Sequence, residues 1–91
     1  MTFKATVITH SGVSFPIVLL PKSEFNSKFA SDKAMRYYAR YFNSNDVILA
    51  TQDFMGMLHY KGRRDIVNLL RATHPSQIPW KRYTKENFHT F

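Results

Sequence analysis

The chain predicts an α+β fold, an antiparallel sheet of about four strands with two helices packed on it in ββαββα order. Three observations carry that prediction. Residues 3–20 alternate β-branched and aromatic side chains around a Ser-Gly turn. Residues 31–42 carry an apolar stripe at helical spacing, and a second strand–strand–helix pattern runs from 47 to 73.

In the first strand, 3–9, alternation places Phe3, Ala5, Val7 and Thr9 on one side. His10, Ser11 and Gly12 are turn residues, and 13–20 reads as the returning strand of a hairpin. Pro16 has no amide to donate, so that strand is expected to have an edge side or a bulge there. Ser31 is the expected N-cap of the first helix, with Asp32 favourable in its first turn. Phe25 and Phe29 begin an earlier turn or a separate short helix. Met35, Tyr38, Ala39 and Phe42 form the core stripe, while Lys33, Arg36, Tyr37, Arg40 and Tyr41 fall on the opposite face. The polar run 43–46 ends this helix. Residues 47–50 read as a buried strand and 54–60 as its neighbour, with Gly56 marking a bulge. The second helix spans 65–73 with Ile66, Leu69, Leu70 and Thr73 inward and Arg64, Asn68 and Arg71 outward; Pro75 closes it. Residues 1–74 thus form one domain. Residues 75–91 form a basic, aromatic tail, partly packed through Trp80, Phe88 and Phe91.

Composition narrows the function. At 91 residues with 44% hydrophobic content, the chain holds one core. It has no cysteine, hence no disulfide, thiolate nucleophile or Cys-based zinc site. No signal-like or membrane-length apolar segment is present, so a soluble cytoplasmic protein without membrane contact is expected. The net charge of +7 points to a polyanionic partner. Seven of the thirteen cations lie between Lys61 and Lys85, opposed only by Asp65 and Glu86.

Nucleic acid is the first partner expected. Lys61, Arg63 and Arg64 stand at the predicted start of the second helix, where free amides favour a phosphate. Arg36 and Arg40 alternate with Tyr37 and Tyr41, and Trp80, Lys81, Arg82 and Tyr83 repeat the mixture; Arg71 adds a further cation. Cations take phosphates and rings take bases, which is how single strands are held. The bland alternative is a solvated charged face with aromatic tips at the rim of the core. The same Tyr, Trp and Arg residues also suit docking on an acidic protein surface. Catalysis is not expected. The six acids form no local pair, and His10, His59, His74 and His89 lack metal-ligand spacing. A small ribonuclease built on His59, Asp53 and Arg63 is the remaining enzymatic arrangement. The three glycines are isolated, so no phosphate loop, cofactor or metal is implied.

One stretch has a family likeness. Phe3-x-Ala5-Thr6-Val7, a turn, Phe15-Pro16-Ile17, a helix with Ala30, Ala34 and Ala39 ending in Tyr41-Phe42, then Val47-Ile48, resembles the small host-RNA-polymerase inhibitors of T7-like bacteriophages. The likeness covers the N-terminal half and brings no functional residue with it. It implies a hairpin, a helix and a further strand in a compact phage protein. Such a protein binds a host machine in the host cytoplasm and does no chemistry.

Overall fold

β1 (Thr2–His10) and β2 (Val13–Leu19) pair antiparallel, from Lys4↔Leu19 to His10↔Val13, in a computed structural model that describes residues 2–85. The expectations for Phe88, His89 and Phe91 lie outside those residues. Ser11 and Gly12 both have positive φ, 52° and 79°, the primed turn whose twist matches a two-stranded ribbon. Pro16 lies one residue before the ladder to the next strand begins, so that side of β2 is still an edge there.

The path then departs from the antiparallel order. α1 (Lys22–Asn26) and α2 (Lys28–Phe42) lead to β3 (Ile48–Gln52), which pairs parallel to β2 from Ile17↔Ile48 to Leu19↔Ala50. Parallel neighbours require a long crossover, and the helices supply it. β4 (Leu58–Lys61) returns antiparallel on β3. After α3 (Arg64–Arg71) and a 3₁₀ turn at Pro75–Gln77, β5 (Lys81–Thr84) pairs antiparallel with β1. The fold is therefore α+β with a mixed five-stranded sheet, β4-β3-β2-β1-β5, and three helices.

Two local boundaries also differ from expectation, while a separate short helix ahead of α2 agrees with it. Ser27, not Ser31, caps α2: its side chain accepts from the Ala30 amide at 3.1 Å. Ser31 instead lies buried in the helix. Phe25 belongs to the separate short helix α1, while Phe29 sits exposed in the first turn of α2. The strand expected from 54 starts only at Leu58. Asp53 competes for the backbone ahead of it: its Oδ1 accepts from the Met55 and Met57 amides at 2.9 and 3.0 Å, curling 53–57 into a loop.

Both sheet faces are covered, and strand alternation divides the core accordingly. Phe3, Ala5, Val18, Leu20 and Leu49 face α1 and α2, meeting Phe25, Ala34 and Tyr38. Phe15, Ile17, Ile48 and Ala50 face α3, meeting Ile66, Val67 and Leu70. Burial, with Glu24 as a smaller second cause, pushes the Tyr38 phenol up to about 12. The buried positions of α2 are Ser31, Ala34 and Tyr38, with Met35, Tyr37, Ala39, Tyr41 and Phe42 packed around them. The stripe is wider than its predicted centre because Phe3 and Tyr83 extend the aromatic wall on one side, stacked with centroids 5.5 Å apart.

Candidate nucleic-acid interface

The sheet register decides which cations meet. β1 begins, and β2, β3 and β5 end, at the same end of the sheet. There Arg82 is the cross-strand partner of Lys4, and Lys4 the partner of Leu19, one row across β5, β1 and β2. Lys22 enters from the first turn of α1, and Lys85 follows β5 directly. Lys4, Lys22, Arg82 and Lys85 line a cleft of about 520 Å³ together with Thr2, Thr51 and Gln52; among the described residues its one carboxylate is Glu24. Thr51 donates to the Leu20 carbonyl at 2.8 Å and fixes the floor where β2 leaves the sheet.

All four cations are exposed, so their charge is retained without a desolvation cost. Among the described residues, Lys4, Lys22 and Arg82 have no ion-pair partner, whereas Lys85 lies 5.5 Å from the centre of the Tyr37 ring. Four like charges around a concave wall focus a positive field on a bound anion. Elsewhere the acids sit beside their own basic partners. Asp32 pairs with Lys28 at 2.9 Å, and that hydrogen bond holds its carboxyl below the usual range. Arg63 reaches Asp65 at 2.9 Å and Asp46 at 3.5 Å.

The residues expected to form the interface are distributed over both layers. Arg36 and Arg40 are exposed on α2, but Tyr37 and Tyr41 turn inward. Tyr41 stands edge-on to Phe3 at 5.1 Å, and its hydroxyl donates to the Thr84 carbonyl at 2.8 Å. Lys61 is half-buried; its ammonium donates to the Phe25 carbonyl and to Ser31 Oγ at 3.4 Å, and lies 4.7 Å from the centre of the Phe25 ring. Arg64 and Arg71 are exposed at the two ends of α3, on the face opposite α2.

The run 80–83 is split by the period of its strand. Trp80 packs toward α3 and Arg82 lines the cleft, while Lys81 pairs with Ala5 and Tyr83 packs toward α2. Lys4, Lys22 and Lys85 were not among the expected site residues. Their only signal is that they meet Arg82, and this requires knowing that β5 pairs with β1. Two members of the ribonuclease trio are in contact, and the third is paired elsewhere. His59 Nε2 and Asp53 Oδ2 are 3.0 Å apart, but Arg63 is engaged with Asp46 and Asp65.

No group of three or more metal-ligating side chains occurs among the described residues. No helix among them is long and apolar enough to cross a membrane. The fold and the cleft define a small basic α+β protein with a cationic recess at one sheet end. Comparison with family models, with curated proteins and with solved structures gave no match.

Proposed function

We propose that this chain is a non-enzymatic nucleic-acid-binding protein of the cytoplasm that holds the sugar–phosphate backbone in the basic cleft. One observation carries the reading: Lys4, Lys22, Arg82 and Lys85 converge on one recess with a single opposing carboxylate among the described residues. Cations brought together from separate elements, without ion-pair partners among the described residues, match the repeated charge of a phosphate backbone better than an isolated anion. Arg36, Arg40, Arg64, Arg71 and Lys81 are exposed cations outside the cleft lining. The test is fluorescence anisotropy with labelled DNA and RNA oligonucleotides over a salt series. Four phosphate contacts give a log–log salt slope of about −3 on a single strand. Absence of binding to either polymer at low salt overturns the reading.

A second reading, a phage-type inhibitor or adaptor that blocks a host protein of nucleic-acid metabolism, is favoured by one feature of α2. Phe29 is 77% exposed and lines a cleft with Lys33 and Tyr37. An exposed aromatic next to cations is the composition of a docking anchor for an acidic protein surface. A stoichiometric protein partner retained from nuclease-treated lysate, and lost in Phe29→Ala, selects this reading over the first.

A further inference from the structure

The basic cleft shares a wall with a second groove of different chemistry. Lys4, Leu19 and Gln52 border both. The second groove, about 510 Å³, is lined on its apolar side by Leu19, Leu58, Met55, Met57, Pro75 and Trp80. That volume falls in the range of ligand clefts, roughly 300–1,000 Å³.

Its outer wall is an apolar loop held in water. Met55 and Met57, which line the groove, are 75% and 58% exposed. Collapse of these side chains onto the core is prevented by a set of hydrogen bonds that fixes the backbone. Asp53 Oδ1 accepts from Met55 and Met57, and the Asp53 amide donates to the Met57 carbonyl at 2.9 Å. Gln52 Nε2 donates to the Gly56 carbonyl at 3.1 Å. Methionine side chains held this way present polarizable surface at a fixed position. Trp80 lines the same groove and adds an aromatic ring to it.

The geometry points to a groove that receives the unpaired bases of a single-stranded nucleic acid whose phosphates rest on Lys4 and Arg82. This rests on the reading of the neighbouring cleft as a phosphate site, and it adds the strandedness of the ligand. Charge complementarity selects the occupant. An apolar groove flanked by unpartnered cations suits a polymer that alternates anions with flat apolar rings. In a duplex those ring faces are stacked away, so the groove has nothing to take.

Trp80 is the chain's one tryptophan, and its emission reports directly on the groove. The experiment titrates the intact protein at low salt with an oligothymidine and with an abasic strand of equal length, reading both anisotropy and Trp80 emission. Both strands bind with a salt-sensitive affinity, the base-bearing strand about tenfold tighter, and only it quenches Trp80. Met55→Ser combined with Met57→Ser, both at exposed positions, removes that tenfold difference and leaves the abasic affinity unchanged. Equal affinity for the two strands with unchanged Trp80 emission overturns the base groove and leaves the phosphate cleft standing. Tighter binding of duplex than of single strand also overturns it. No binding of either strand overturns both readings.

Discussion

Lys4 and Arg82 are cross-strand partners on β1 and β5, two cations from opposite ends of the chain set side by side at the edge of the sheet. Like charges directly opposite in an antiparallel pair are mildly destabilising. A shared anion reverses that sign. On the proposed function, Lys4→Ala and Arg82→Ala are therefore each expected to lower nucleic-acid affinity and to reduce the magnitude of the salt slope by about 0.7 for a single strand. Thermal stability is unchanged or slightly raised. Anisotropy over a salt series together with a melting curve checks both halves of the expectation.

Tyr41 ties β5 to α2 through its hydrogen bond to Thr84, and among the described residues β5 has a sheet partner on only one side. Tyr41→Phe keeps the ring contact with Phe3 and removes the tie. A loss of about 0.5–1.5 kcal/mol is expected. Hydrogen exchange at β5 amides accelerates more than at β3 amides, because the tie acts on the edge strand and not on the centre of the sheet. Uniform acceleration across both strands would contradict this.

The elements written in local periodicity were legible from sequence: the hairpin around Ser11 and Gly12, the body of α2, and α3 with Ile66 and Leu70 inward. What was not legible depends on contacts distant in sequence. Tyr41 and Tyr83 look like surface rings until Phe3 is placed between them. Lys-Arg-Tyr-Thr carries little strand signal by itself, so β5 is visible only through its ladder to 2–5. The seven C-terminal cations formed one cluster in sequence. In space Lys61 braces α1, Arg63 meets acids beside α3, and Arg82 and Lys85 join Lys4 and Lys22 instead.

Gly62 is a position where the backbone approaches too closely for any side chain. A Cβ there would collide with the Ile48 side chain and stand 3.2 Å from the Val47 carbonyl oxygen. Ile48 is fully buried, so its terminal methyl can move only by repacking the core around it. Gly62→Ala is expected to cost about 1–3 kcal/mol by overpacking. At Gly12, where nothing lies within 4 Å, alanine costs only its left-handed strain, about 1–2 kcal/mol. Urea unfolding of the two variants separates the causes, with a further loss at position 62 on top of any strain.

Lys61 and Arg71 are both cations of the C-terminal third, yet substitution affects them differently. Lys61→Met keeps the aliphatic stem but leaves the Phe25 carbonyl without its ammonium donor, a loss of about 1–3 kcal/mol. Arg71 is exposed, and Arg71→Met stays within about 0.5 kcal/mol of the parent. Matched denaturant curves decide between them. Equal stability of the two variants would remove the bracing role assigned to Lys61.

Asp53 gives the exposed apolar loop a defined acid limit. The hydrogen bond from His59 is the largest cause holding its carboxyl below the usual range, followed by the Met57 amide, with Met55 contributing less. A group whose folded pKa is depressed contributes its stabilisation in full above the unfolded value, about 3.9, and loses it as pH falls through the folded value. The loop therefore stays ordered through neutral pH and opens only under acid conditions, below the ordinary aspartate range. Amide shifts of Met55 and Met57, followed by NMR from pH 6 to pH 2, should move together with a midpoint under about 3.9. In Asp53→Asn that titration disappears, since the amide has no charge to lose, and the loop amides lose protection at every pH because a neutral acceptor holds them less strongly. A midpoint at or above about 4 in the parent protein would show that the carboxylate is not held by these donors.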